Sequence, residues 1–168
     1  TIPAMFIPNT YDFYWNTSAD KFLDKMSEEN KKFWNFERKE KAKQAGFTES
    51  EIVTLASIVD EETDNEAEMP KIAGMYINRL HLNMPLQADP TVKFATKNFT
   101  AHRIYQKWLT IDNPYNTYKY RGLPPGPIRI PSVAAIDAVL NYVHHDYIYM
   151  CAKEDFSGTH NFAKTYEE

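Results

Sequence analysis

The strongest constraint on the fold is an apolar helical run that ends in three consecutive acids, Asp60-Glu61-Glu62. At about 100° per residue, the large apolar side chains of residues 52–59 share one helix face, and Glu62 lies about 20° from Leu55 on that face. Asp60 and Glu61 project away from it. The pattern therefore predicts that Glu62 is driven toward the core while Asp60 and Glu61 are solvated.

A carboxyl group on a buried helix face has a chemical consequence. Burial disfavours the charged form, so it raises the pKa and makes Glu62 a candidate proton donor near neutral pH. The alternative is that these acids form an ordinary solvated helix end. An acid in the last turn is, however, mildly unfavourable with the helix macrodipole.

Length and composition favour one globular domain with a small appendage. The 168 residues are 43% apolar and 14% aromatic, which is enough to form a hydrophobic core. The net charge of −4 argues against a nucleic-acid partner. The single cysteine, Cys151, excludes an internal disulfide and a cysteine-rich metal site. The chain has no run of 18 apolar residues, and it starts on Thr1 and stops inside a polar segment, so we expect an excised fragment of a longer protein.

The first 47 residues are predicted to form a strand-helix subdomain. Two short strands are expected on either side of Pro8-Asn9, because the surrounding residues are rich in aromatic and β-branched side chains. One long helix is expected to begin after Asn16-Thr17-Ser18 and to end at Gly46.

Residues 48–168 are predicted to form the catalytic domain, with small antiparallel sheets packed on helices. The central helix begins at a capping box, Thr48 and Glu51, and runs to about Thr63. The remaining predicted elements are a helix after residues 64–66, an extended segment at 86–89, helical turns at 91–97 and 105–109, a stiff loop at 113–127, a helix from Ser132 to His144-His145, a buried strand at 147–152 and a strand at 158–162 that forms a hairpin with it. The fold class predicted is α+β.

The sequence contains no motif that is typical of a metal or cofactor site. The adjacent histidines His144 and His145 are predicted to point to different sides of a helix end, and no further ligand follows at metal-site spacing. No nucleophile elbow, phosphate loop or dinucleotide fingerprint occurs. We expect neither a metal nor a cofactor, and the plausible chemistry rests on carboxylates.

Five motifs follow one another along the chain. They are Ala56-Ser57-Ile58-Val59-Asp60-Glu61-Glu62-Thr63; Ile77-Asn78-Arg79-Leu80 followed by residues 84–92, Met-Pro-Leu-Gln-Ala-Asp-Pro-Thr-Val; Asn113-Pro114-Tyr115-Asn116-Thr117-Tyr118; Gly122-Leu123-Pro124-Pro125-Gly126-Pro127-Ile128; and Gly158-Thr159-His160-Asn161-Phe162. Together and in this order, they resemble the motifs of the YceG-like family of endolytic murein transglycosylases. The sequence departs from the family at Pro3-Ala4, where an acidic residue and a glycine are expected.

The resemblance implies a lytic transglycosylase with Glu62 as its catalytic residue. The substrate would be peptidoglycan glycan strands, cleaved without water between N-acetylmuramic acid and N-acetylglucosamine to leave 1,6-anhydro-muramyl ends. The resemblance further implies a single-pass anchor in the bacterial inner membrane, a catalytic domain outside that membrane, and cell-wall synthesis proteins as partners.

The candidate substrate-binding residues follow from the same motifs. They are Asn78, Gln87, Asp89, Thr91, Tyr115, Asn116, Thr117, Tyr118 and His160. Each could instead form a hydrogen bond that only stabilises a loop. We expect a cleft in front of the Glu62 helix, with walls formed by residues 86–91 and 113–127. Two other functions stay open: a muramidase-type hydrolase that uses Asp89 as a base, and a non-catalytic glycan-binding scaffold.

Overall fold

The computed structural model describes residues 2–101, 103–155 and 158–168. Its elements are, in chain order, a 3₁₀ helix (Pro3–Met5), α1 (Ala19–Phe33), α2 (Phe36–Ala45), α3 (Glu49–Glu62), α4 (Met69–His81), α5 (Asp89–Thr96), a 3₁₀ helix (Gln106–Trp108), α6 (Val133–Leu140), β1 (Tyr149–Ala152) and β2 (His160–Ala163). Six α-helices and a two-stranded antiparallel sheet make the fold α+β, as the sequence predicts.

Helix α3 is the centre of the core. It begins at the predicted capping box, in which the Glu51 amide donates to Thr48 Oγ1 at 3.3 Å and the Thr48 amide donates to Glu51 Oε2 at 2.8 Å. Every residue from Ile52 to Val59 is buried, and α3 packs against α4, α5 and α6. The helix is therefore enclosed on all sides before it reaches its acidic end.

The N-terminal region differs from its prediction in two ways. Residues 5–15 contain no strand, so the two predicted strands are wrong. The predicted single helix is two helices, because the chain leaves α1 at Trp34 and Asn35 caps α2 by accepting from the Arg38 amide at 3.0 Å. Gly46 ends α2 in the left-handed region at φ 81°, as the sequence indicates.

The N-terminal residues contribute to the same hydrophobic core as the rest of the chain. Ala4, Ile7, Trp34 and Ala42 are buried in the cluster that contains the α3 side chains. The division into residues 1–47 and 48–168 stays a prediction.

Asp60 is not the solvated residue that the helix projection predicts. Its side chain is only 9% exposed and accepts from Ser132 Oγ at 2.7 Å and from the Ser132 amide at 3.2 Å. The Arg129 side chain approaches it at 3.4 Å and contacts Glu61 at 2.8 Å. Asp60 thus ties the end of α3 to Ser132, the N-cap of α6. Glu61 is exposed, as predicted.

Helix α6 is shorter than predicted, since it ends at Leu140 rather than at the two histidines. His144 and His145 lie in an irregular connection that runs along α4. The Val143 amide donates to Pro70 O at 3.0 Å, and His145 Nε2 lies 2.8 Å from Lys71 O. The predicted placement of these histidines on a helix end is therefore wrong.

The predicted hairpin is present, with Met150 opposite Phe162 and Ala152 opposite His160. Strand β1 is half-buried to exposed along its length, so its predicted full burial is wrong. Within the described residues, no helix has both the length and the apolar composition needed to span a membrane.

Candidate active site

Glu62 is the last residue of α3 and lies at the bottom of a cavity of about 280 Å³. It is neither sealed in the core nor fully exposed. Tyr76 of α4, only 2% exposed, donates its hydroxyl to Glu62 Oε1 at 2.6 Å. Among the described residues, Oε2 has no hydrogen-bond partner, and the Glu62 side chain is part of the cavity lining.

The surroundings of Glu62 raise its pKa above the ordinary value of a glutamate. The largest cause is burial, which disfavours the carboxylate, and the nearby charge of Asp89 adds to it. The Tyr76 hydrogen bond and the neighbouring His160 and Lys93 side chains act in the opposite direction but do not outweigh burial. The C-terminal end of α3 also carries negative partial charge, which disfavours a second negative charge there.

The cavity has walls from four parts of the chain. Helix α4 and the segment that leads into α5 form two of them, Tyr118 contributes a third, and the hairpin closes the fourth. The lining residues are Glu62, Met75, Tyr76, Arg79, Leu86, Gln87, Asp89, Tyr118, Met150, Cys151, Ala152 and His160.

Asp89 and Tyr118 form a hydrogen-bonded pair on one wall. The Tyr118 hydroxyl donates to Asp89 Oδ1 at 2.6 Å, and burial together with this carboxylate raises the pKa of Tyr118. The pair is held in place from behind, because Thr117 Oγ1 accepts from the Ala88 amide at 3.0 Å and lies 2.8 Å from Thr91 Oγ1.

Arg79 connects three walls of the cavity. Its guanidinium donates to Ile148 O at 2.6 Å, to Leu86 O at 2.8 Å and to Pro85 O at 3.3 Å. The residue is 7% exposed, and burial lowers the pKa of its guanidinium. Main-chain carbonyls from two loops thus converge on one side chain of α4 and fix the width of the cavity.

His160 joins the hairpin to the start of α4. Its main-chain amide donates to Glu68 Oε1 and its Nδ1 contacts Glu68 Oε2, both at 2.8 Å. Both side chains are largely buried. The pairing holds the imidazole beside the cavity and close enough to affect the charge state of Glu62.

Five residues predicted for the site come together in this cavity: Glu62, Gln87, Asp89, Tyr118 and His160. The other predicted substrate-binding residues do not line it. Asn78 donates to the carbonyls of His145 and Tyr147 at 2.7 and 3.0 Å.

The remaining four lie behind the wall. Thr91, Asn116 and Thr117 are buried, and Asn116 Nδ2 donates to Leu109 O and Ile111 O at 3.0 and 2.9 Å. Tyr115 packs against the Phe94 ring at 4.6 Å between centroids. These contacts are of the loop-stabilising kind that the sequence left as an alternative. The predicted walls are present only in part, because Tyr118 alone represents residues 113–127.

Tyr76, Arg79 and β1 were not predicted to take part in the site. A buried tyrosine on an apolar helix face needs a partner for its hydroxyl, and that requirement was the available signal for Tyr76. No comparable signal exists for Met150, Cys151 and Ala152, since they reach the cavity through the hairpin alone. In the part of the chain that the structure describes, no three histidine, cysteine or acidic side chains cluster as a metal site would require.

The chain belongs to the YceG-like family, whose sequence profile matches residues 1–168. This confirms the family resemblance of the motifs. The chain is 36% identical over 162 residues to a Bacillus subtilis (strain 168) protein named endolytic murein transglycosylase, covering 96% of this chain and 44% of that protein. It is 32% identical over 152 residues to a Streptococcus pneumoniae (R6) protein of the same name, covering 86% and 27%.

A solved structure has the same fold. The crystal structure of a YceG-like protein from Listeria monocytogenes superposes with a TM-score of 0.84 at 31% identity, covering 98% of this chain and 53% of that one. The chain thus spans about half or less of the length of the relatives it matches.

Proposed function

We propose that this chain is the catalytic part of a lytic transglycosylase that cleaves peptidoglycan glycan strands, with Glu62 as its acid and base. The observation that carries the proposal is the position of Glu62: its carboxyl group lines the cavity, one of its oxygens accepts from Tyr76, and its pKa is raised. The names of the relatives, endolytic murein transglycosylase, support the substrate class.

The first step requires a protonated Glu62. The acid donates its proton to the glycosidic oxygen while the bond from that oxygen to C1 of the muramyl residue breaks. The leaving sugar departs with a neutral 4-hydroxyl group. A raised pKa keeps the proton on Glu62 near neutral pH, and Tyr76 orients the carboxyl group by holding Oε1.

The second step explains why one carboxylate can suffice. The muramyl C6 hydroxyl attacks C1 and gives its proton to the Glu62 carboxylate, which restores the acid and leaves a 1,6-anhydro ring. Because the nucleophile belongs to the substrate, the reaction gains from proximity and consumes no water. Hydrolytic glycosidases, in contrast, generally use two carboxylates.

The cellular setting is part of the proposal. The enzyme would be held at the bacterial inner membrane by a single-pass anchor, with this domain outside the membrane, acting on nascent strands beside cell-wall synthesis proteins and terminating their elongation.

Product analysis with Glu62→Gln tests the proposed reaction. Purified glycan strands are digested with the wild-type chain, with Glu62→Gln and with Glu61→Gln as the control that makes the same substitution at the adjacent exposed position, and the ends are identified by mass spectrometry. We expect anhydro-muramyl ends from wild type and the control, and a loss of at least about 100-fold in rate for Glu62→Gln. Equal activity in Glu62→Gln would refute the assignment.

A muramidase-type hydrolase is the second candidate, favoured by the placement of Asp89 in the same cavity as Glu62. In such an enzyme Asp89 would activate water and the product would carry a reducing muramyl end. The same mass spectra decide between the two, since reducing ends that disappear in Asp89→Asn would establish the hydrolase. The third alternative, a non-catalytic scaffold, is disfavoured because Glu62 opens onto a cavity instead of being sealed in a core pair.

A further inference from the structure

A second cavity lies directly beside the one that contains Glu62. Its volume is about 430 Å³, and it shares Asp89 and Tyr118 with the first cavity, so this hydrogen-bonded pair is the partition between them. The other lining residues come from α5 and from residues 103–109. A chain of linked sugars that fills the first cavity can therefore place a substituent in the second.

Among the residues that the structure describes, two cations line this second cavity. Lys93 projects from α5 one turn after Asp89, and Arg103 projects from the segment before the 3₁₀ helix. Neither makes an ion pair with any described residue, although Asp89 lies at i,i+4 spacing from Lys93. The Asp89 carboxylate instead accepts from Tyr118. With one acid already hydrogen-bonded and two unpaired cations, the cavity has an excess of positive charge.

Lys93 also links the two cavities electrostatically. Its ammonium group is close enough to Glu62 to lower the pKa of that carboxyl group, against the larger effect of burial. An anion bound at Lys93 therefore lies within interaction range of the proposed acid.

We propose that the cavity between Lys93 and Arg103 binds a carboxylate carried by the substituent on the muramyl residue of the substrate. The inference rests on the proposed function, because it assumes a peptidoglycan strand in the neighbouring cavity. The carboxylate has two chemical sources: the acidic groups of the peptide stem, or the lactyl carboxylate that is free once the peptide has been removed. In either case the site selects muramyl-containing glycans over neutral ones.

Equilibrium binding separates this inference from the cleavage reaction. The Glu62→Gln chain is titrated with three glycan oligomers of equal length: peptide-bearing strands, the same strands without peptide, and peptide-free strands whose lactyl carboxyl is reduced to an alcohol. We expect at least one charged oligomer to bind about 5- to 10-fold more tightly than the reduced one. Tighter binding of the first alone indicates peptide carboxylates, and tighter binding of the second indicates the lactyl carboxylate.

Removing the charges of Lys93 and Arg103 tests whether these two side chains bind the carboxylate. The variants are Lys93→Gln and Arg103→Gln, alone and combined, with Lys97→Gln as the matched control because Lys97 ends the same helix, is exposed and lines neither cavity. The double variant should bind all three oligomers equally, and the control should keep the preference. The preference should also weaken between about 0.05 and about 0.5 M salt, as screening requires.

Two results would overturn the inference: equal affinity of the Glu62→Gln chain for all three oligomers, or a preference that survives in the double variant. Cleavage activity does not enter this test. A failure of the transglycosylase proposal would appear in the product ends, whereas a failure of the anion site would appear only in these affinities.

Discussion

Burial and the hydrogen bond from Tyr76 have opposing effects on the pKa of Glu62. Burial favours the protonated acid, whereas the Tyr76 hydroxyl, donating at 2.6 Å, favours the carboxylate. The pair also explains the position of the acid, because Tyr76 is buried and cannot follow a displaced carboxyl group. Tyr76 is thus a positioning residue whose removal changes both the orientation and the pKa of Glu62.

Replacing Tyr76 with Phe should change the pH profile of cleavage. Loss of the hydroxyl removes an influence that lowers the pKa of Glu62, so the alkaline limb of the rate should move to higher pH by up to about one unit. The maximal rate should fall roughly 10-fold because the acid is less well oriented. Tyr142→Phe is the control, since no described residue is hydrogen-bonded to the Tyr142 hydroxyl. An unchanged alkaline limb of the pH profile in Tyr76→Phe would show that this hydrogen bond does not affect the pKa of Glu62.

Glu62 should also make stability depend on pH. Under acidic conditions the carboxyl group is protonated in both the folded and the unfolded chain. As pH rises through the ordinary value of 4.5, the unfolded chain releases the proton first while the folded chain, with its raised pKa, retains it. Stability relative to Glu62→Gln must therefore fall, by at most about 1.4 kcal/mol per pH unit, until pH exceeds the folded pKa.

Denaturant titrations from about pH 3 to about pH 9 check this linkage. The difference in free energy of unfolding between Glu62→Gln and wild type should grow with pH and then level off. Glu66→Gln, at an exposed position, should show no such trend. A difference that shrinks with rising pH would mean that the folded state favours the carboxylate.

At the scale of elements, α4 organises the site more than α3 does. α3 supplies one carboxyl group, whereas α4 supplies Tyr76 and, one turn later, Arg79, which holds the carbonyls of the neighbouring walls. Asn78, on another face of the same helix, fixes the connection that leads into β1.

Lysine should not be able to replace Arg79, whose planar guanidinium group donates to two carbonyls at once. An ammonium group cannot reach the carbonyls of Ile148 and Leu86 together, so Arg79→Lys leaves buried acceptors unsatisfied and should cost about 2 to 4 kcal/mol of unfolding free energy. Arg121→Lys is the matched control, because Arg121 is exposed and, among the described residues, hydrogen-bonds only Asn83 O; it should change stability by less than about 0.5 kcal/mol. Equal effects in thermal unfolding would contradict the role given to Arg79.

Elements with local signals were predictable. The capping box at Thr48, the Ser132 cap and Gly46 each fix a helix end through residues within one turn, and all three were placed correctly. The N-terminal aromatic segment was misassigned because strand propensity describes a pleated, half-buried surface, and here no partner strand exists among the described residues. The break between α1 and α2 at Trp34 was not predicted. Asn35, the residue that caps α2, lies inside a stretch of sequence that reads as one continuous helix.

At the scale of the whole molecule, the cavity depends on contacts between distant parts of the chain. Asp89 and Tyr118 are 29 residues apart, and Glu68 and His160 are 92 apart. Sequence motifs indicated Asp89, Tyr118 and His160 without their pairing, and they assigned no role to Glu68. The hairpin wall could not be deduced, because its position follows from how residues 141–148 pack against α4.

Gly74 is where that packing is tightest. A Cβ atom at this position would lie 2.2 Å from Val143 O and 2.9 Å from His145 Nε2, so Gly74→Ala must displace the connection that leads into β1. We expect a loss of about 1 to 3 kcal/mol in unfolding free energy, together with reduced cleavage activity because one wall of the cavity moves. Helix propensity alone would make Gly74→Ala stabilising by about 1 kcal/mol, so a net loss reports the displaced connection. Full activity in Gly74→Ala would show that the hairpin wall is dispensable.

Titration of the Glu62 side chain is the most direct test of its proposed role as proton donor. The chain is labelled with ¹³C at glutamate side-chain carboxyl carbons, and the Glu62 resonance is identified by its absence from the spectrum of Glu62→Gln. We predict a titration midpoint above the ordinary 4.5, so that Glu62 keeps its proton at a pH where a carboxyl group of ordinary pKa has ionised. A midpoint at or below 4.5 would contradict the claim that this cavity holds a proton donor.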